Sequence, residues 1–196
     1  MNIIKPTYKW AYALTQRPQT THLIIHHVAA ESATAEGIHA YHLSLGWAGI
    51  AYHFLVRKDG SVYAGRPIDK QGGHTVGMNH SSIGICFEGN FDTEYMTETQ
   101  LKAGQELIAY IVGLYPSIII TRHGDFNATA CPGKNFPFGA MVNPADEGNV
   151  EGEAGISEWA QEAAAWAAEK GITDGTRPKD AATREEIWTM LWRALK

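Results

Sequence analysis

The stretch His123-Gly124-Asp125-Phe126-Asn127-Ala128-Thr129-Ala130-Cys131-Pro132-Gly133 sets an imidazole and a thiol eight positions apart, in a run rich in turn-forming residues. Imidazole and thiolate are the donors that zinc prefers, and His26 or His27, beside an apolar run, offers a third. Three protein ligands leave the fourth tetrahedral position to water, which is the arrangement of a catalytic rather than a structural zinc. The same pair also supports chemistry without a metal, with Cys131 as nucleophile and His123 as its base. Spacing alone does not choose between the two.

Both pieces must be held by regular structure. Leu23-Ile24-Ile25-His26-His27-Val28 is apolar and β-branched behind a polar lead-in, so it reads as a buried strand. A second strand is expected over Ala51–Val56, closed by the turn Lys58-Asp59-Gly60 and followed by Ser61–Ala64, because Asp-Gly between two such runs signals a hairpin. Ser82–Glu88 and Ile118–Thr121 read as two more strands, the last leading directly into His123. Helical patterns cover Ala35–Leu45, ending at Gly46, and Thr97–Leu114, stopped by Pro116 and opened by the capping box Thr97-Glu98-Thr99-Gln100. Strands interleaved with helices predict an α/β domain, a mixed central sheet flanked by helices, ending near Phe138.

Alternation along a strand sends neighbouring side chains to opposite faces, so a His26 that points at a metal leaves His27 pointing away. The same parity places Tyr52 in the site and His53 behind the sheet. His27 and His53 are then buried, hydrogen-bonded structural residues. Cys86, inside an apolar strand, reads as a small core residue, and the two cysteines of the chain as reduced thiols.

The 196 residues carry a formal net charge of −5, so the basic field that grips nucleic acid is missing and no nucleic-acid partner is expected. No apolar run is long enough to span a bilayer, and Met1 to Pro6 lacks the features of a signal peptide. The expectation is synthesis in the cytoplasm without membrane insertion.

Five motifs share an order and approximate spacing with one family: Ile24-Ile25-His26-His27, Tyr52-His53-Phe54, Gly73-His74-Thr75, Asn79-His80-Ser81-Ser82-Ile83-Gly84-Ile85, and His123-Gly124-Asp125 to Cys131-Pro132-Gly133. Over roughly residues 15 to 140 the chain resembles the zinc N-acetylmuramoyl-L-alanine amidases, which include phage lysozyme-type amidases and peptidoglycan recognition proteins. The resemblance implies zinc (Zn2+) held by His26, His123 and Cys131, and it selects His26 over His27. It implies a catalytic Tyr52 beside the metal. It also implies a catalytic Thr129, where some phage members carry lysine, so that charge stabilisation rests more on zinc and Tyr52. His74 and Asn79 fall in a loop that lines the substrate groove in relatives, and turn formation explains them equally well. The general base stays open. His39 and His42, three apart on a helix, have a chelating spacing, but the family helix packs this histidine locally.

The implied reaction is hydrolysis of the amide between N-acetylmuramoyl and the L-alanine of the stem peptide in peptidoglycan, by an endolysin or autolysin that reaches the wall through a phage holin-type pore. A non-catalytic peptidoglycan recognition module and a metal-free Cys-His hydrolase are the alternatives.

Beyond the catalytic domain (1–140), an acidic, Gly-rich linker is expected at 141–155 and a helix-loop-helix module at 156–196. Trp159 to Leu195 resembles a shortened S-layer-homology repeat, implying attachment to a cell-wall polymer or homo-oligomer formation through this module. Trp166, Trp188 and Trp192 read as its packing residues, with a carbohydrate-stacking surface as the other reading.

Overall fold

The computed structural model describes residues 1–143 together with Trp166 and Lys170. In chain order the elements are β1 (Ile3–Ile4), β2 (His22–His27), α1 (Ala35–Ser44), β3 (Phe54–Val56), β4 (Val62–Ala64), β5 (Ser82–Phe87), α2 (Glu98–Leu114), β6 (Ile119–Arg122) and α3 (Phe138–Val142), with a 3-10 turn at His123–Asp125. The six strands form one sheet in the order β1-β4-β3-β5-β2-β6. Every neighbouring pair is parallel except the β3–β4 hairpin.

The two central strands explain the layering. From Leu23 to His27 and from Ser82 to Phe87 every residue is buried, as expected of strands covered on both faces. Leu23, Ile25, Ile83, Ile85 and Phe87 point to one face and meet Leu107, Ile108 and Ile111 of α2 and Met141 of α3. Leu55 and Cys86 point to the other face and meet Ala35 and Ile38 of α1. The expected α/β architecture, a mixed sheet between helices, is the one observed.

Three local details depart from the sequence reading. The Thr97 hydroxyl accepts the Gln100 N–H as a cap should, but the Gln100 side chain turns inward and donates to the carbonyls of Val56 (3.1 Å) and Glu88 (2.8 Å), so only half of the capping box forms. A two-residue edge strand, β1, pairs with β4 and has no periodicity to reveal it. The domain also runs past Phe138 into α3, whose Met141 is fully buried.

The chain divides into two compact units, Met1–Glu147 and Gly148–Lys196. In the second, Trp166 is 51% exposed and its carbonyl accepts the Lys170 N–H at 3.0 Å. Of the linker expected at 141–155, Met141 and Val142 belong instead to α3, and residues 144–155 lie outside the described residues, as do Trp188 and Trp192.

Candidate metal centre and active site

β2 and β6 are parallel neighbours, with Ile25 opposite Arg122, so both strands deliver their next residue, His26 and His123, to the same end of the sheet. Their rings lie 4.5 Å apart between centroids. The carboxyl ends of parallel strands are where sites in such sheets are built.

The loop after His123 returns Cys131 to the same place. The Gly124 N–H donates to the Cys131 carbonyl at 2.9 Å, and the His27 N–H donates to the Cys131 sulfur at 3.4 Å. A Cβ on Gly124 would stand 2.8 Å from the Thr129 carbonyl oxygen, so the close return of this loop requires glycine there. Among the described residues, His26, His123 and Cys131 form a group whose donor atoms all lie within 4.8 Å of one another.

Each imidazole has one nitrogen engaged by a neighbouring side chain. His26 Nε2 lies 3.0 Å from His74 Nδ1 and 3.3 Å from Thr75 Oγ1, while its Nδ1 lies 3.8 Å from Cys131 Sγ. His123 Nε2 is 3.1 Å from Asn127 Oδ1. Burial lowers the pKa of both rings, so both are held neutral, the form that binds a cation. Burial also pushes the Cys131 thiol up to about 11, opposed by the His27 N–H. A cation bound there would reverse that balance and favour the thiolate.

Tyr52 reaches the site by a route that parity does not describe. A bend at His53 interrupts the alternation before β3, and Tyr52 turns so that its ring lies 5.2 Å from that of His26. Burial, then the Cys86 and Cys131 thiols, push its hydroxyl well above the usual tyrosine range, so it remains a hydrogen-bond donor. Thr129 is exposed, and its Oγ1 accepts the Cys131 N–H at 3.2 Å, leaving the hydroxyl proton to donate elsewhere. A cleft of about 410 Å³ opens beside it, lined by Arg122, Thr129, Cys131, Lys134 and Phe138 among others.

His74 is buried, and the partly buried Asn79 holds the loop around it. His74 is 7% exposed beneath His26, and Asn79 Oδ1 accepts the N–H groups of His74 (2.8 Å) and Thr75 (3.0 Å). Thr75 and Asn127, which touch the two imidazoles, were missed by the sequence reading. Asn127 had a signal, standing four residues after His123 in the same loop.

His27, His39, His42 and His53 are buried and hydrogen-bonded within the fold. His27 stacks on Phe91 and accepts its N–H. His39 and His42 accept the N–H groups of Ile50 and Ala51, as local packing predicts. Cys86 and Cys131 are both free thiols, Cys86 fully buried. His53 is buried and hydrogen-bonded as expected, but it is not set apart behind the sheet: its ring meets that of His74 edge-on at 5.7 Å. Its Nδ1 accepts the Gly84 N–H, so Nε2 carries the proton toward the Lys70 carbonyl.

Burial lowers the His53 pKa to about 3 and that of His42 to about 4. The unfolded chain takes up these protons near pH 6.5 and the native chain does not, so stability is full above about 6.5 and falls as pH drops toward 4. Less urea should unfold the chain at pH 4.5 than at pH 7, and His53→Gln should shrink the difference. An equal slope in the variant would contradict this.

Two imidazoles and a thiol gather beyond the ends of parallel strands of a mixed α/β sheet. The profile of the N-acetylmuramoyl-L-alanine amidase family matches residues 16–134, and the chain belongs to that family. It is similar to the endolysin of Enterobacteria phage K11, 33% identical over 126 residues, 60% of this chain and 83% of that one. It is similar as well to peptidoglycan-recognition protein SC2 of Drosophila melanogaster, 36% identical over 128 residues, 59% and 70% of the two chains. The solved N-acetylmuramoyl-L-alanine amidase LysC from Clostridium intestinale URNW superposes with a TM-score of 0.72 at 36% identity, covering 74% of this chain and 98% of that one. The chain is a peptidoglycan hydrolase with N-acetylmuramoyl-L-alanine amidase activity, and its substrates are muropeptides. No described helix is long and apolar enough to cross a membrane.

Proposed function

We propose that His26, His123 and Cys131 hold zinc and that this centre hydrolyses the bond between N-acetylmuramoyl and L-alanine. The observation that carries the reading is the set of three donor atoms within 4.8 Å, from two imidazoles, each with a nitrogen engaged by a neighbour, and one thiol. Two nitrogens and one sulfur suit zinc and leave a fourth position open. Zinc, when bound there, supplies Lewis acidity, polarising the scissile carbonyl and acidifying water to a pKa of roughly 7.

The chain's own groups do the rest. Tyr52, held protonated, donates to the carbonyl oxygen as negative charge develops on it, and Thr129 offers a second, exposed donor without charge. The thiol mechanism is less well supported: a Cys131 pushed up to about 11 carries almost no thiolate at neutral pH, and the imidazole hydrogen-bonded to its sulfur is His26, at 3.8 Å, rather than the His123 that mechanism would use as base. Mass spectrometry of digested peptidoglycan checks the bond cleaved. Free stem peptides with a new L-alanine amino terminus are expected; new sugar reducing ends without them would overturn the reading.

Residues 156–196 are assigned to wall binding on their likeness to an S-layer-homology repeat. A truncation ending at Pro144 should keep its turnover on soluble muropeptides and sediment with intact walls about 10-fold less than the full chain. Equal sedimentation would refute the assignment.

A further inference from the structure

Two glycines hold open a slot for one imidazole. A Cβ on Gly84 would stand 2.6 Å from His74 Cδ2, and one on Gly72 would stand 2.3 Å from the same atom. Neither position accepts a side chain while His74 is in place. His74 is therefore seated from both sides, with its backbone N–H tied to Asn79, and its ring nitrogens have fixed partners.

Those partners set the direction of every proton. The Ser82 hydroxyl donates to the Met78 carbonyl at 2.7 Å, so its oxygen presents a lone pair to His74 Nε2, 3.5 Å away. His74 Nε2 then carries the proton and Nδ1 is an acceptor. Facing it at 3.0 Å, His26 Nε2 must be the donor, which leaves His26 Nδ1 as a bare lone pair turned toward Cys131 Sγ. Thr75 Oγ1 completes the triangle at 2.9 Å from His74 Nδ1 and 3.3 Å from His26 Nε2. Donating to the first and accepting from the second agrees with the same protonation.

We propose that Ser82 and His74, anchored on the Met78 carbonyl, lock His26 in its Nε2–H tautomer and so aim Nδ1 at the metal. His74 is thus a positioning residue for a metal ligand rather than a substrate contact. The proposal rests on the zinc reading above and adds to it a defined outer shell, of the kind that orients ligating histidines elsewhere.

The test combines 15N NMR of the ring nitrogens with zinc dissociation constants from chelator competition. In the zinc-loaded wild-type chain, His26 should show a protonated Nε2 and a metal-bound Nδ1. His74→Phe should weaken zinc binding about 10- to 100-fold. His74→Asn, whose Oδ1 can accept the same bond from His26, should stay within a few-fold of wild type, and Ser82→Ala should fall between them. A proton on His26 Nδ1, or zinc bound as tightly by the Phe variant as by wild type, would overturn the proposal. So would an Asn variant as weak as the Phe variant, since loss of packing alone would then explain both. Should His74→Phe fail to fold, the wild-type tautomer and Ser82→Ala still decide. A wild-type chain that takes up no zinc would sink the metal reading, while the tautomer of His26 in the metal-free protein would still settle this one.

Discussion

Replacing Cys131 by Ala should lower amidase activity at least about 10³-fold and remove zinc from the purified protein, because in the proposed centre the sulfur is one of three donors and the only anionic one. His123→Ala should do the same. The magnitude follows from what a zinc ion held there would supply: acidifying water from a pKa near 16 to roughly 7 would raise the hydroxide available at neutral pH by many orders of magnitude. The fold should survive both changes, since Cys131 and His123 are only partly buried and neither belongs to the two apolar cores. Far-UV circular dichroism and metal analysis on the same samples separate loss of the site from loss of the fold. A Cys131→Ala chain that kept a full complement of zinc and its activity would contradict the ligand assignment.

Tyr52→Phe should lower kcat about 10²-fold with KM and zinc content nearly unchanged. The hydroxyl is the buried donor near the centre, and loss of one donor to a developing oxyanion has an effect of this size. Only the hydroxyl is removed, so the ring contact with His26 remains. Thr129→Ala should have a smaller effect, because its hydroxyl is exposed and already accepts the Cys131 N–H. A kcat within a few-fold of wild type for Tyr52→Phe would remove the tyrosine from the mechanism. The donor role has no alkaline limit in the working range, since burial keeps the hydroxyl protonated.

The gathering of His26, His123 and Cys131 was legible because strand alternation and motif order are local signals. β2 alternates, so His26 and His27 face opposite sides, and the apolar run at Ile118–Ile120 opens a strand, β6, that ends at Arg122 directly before His123. What the sequence hid depends on contacts between distant segments. Tyr52 enters the site through a bend that no period describes, although the parity argument reached the same residue. The inward seat of His74 needs Gly72 and Gly84 together, and Gly84 is on a different strand's register from the loop that carries the histidine. Gln100 matched a capping box, yet the Val56 and Glu88 carbonyls offered it buried hydrogen bonds and drew its side chain inward.

Amidase activity titrated against bound zinc tests the account most directly. Metal-stripped chain should release no stem peptides from peptidoglycan, and activity should return in proportion to zinc up to one equivalent per chain, then level off. Full activity in the stripped chain would contradict a zinc centre at His26, His123 and Cys131 and return the chemistry to the thiol.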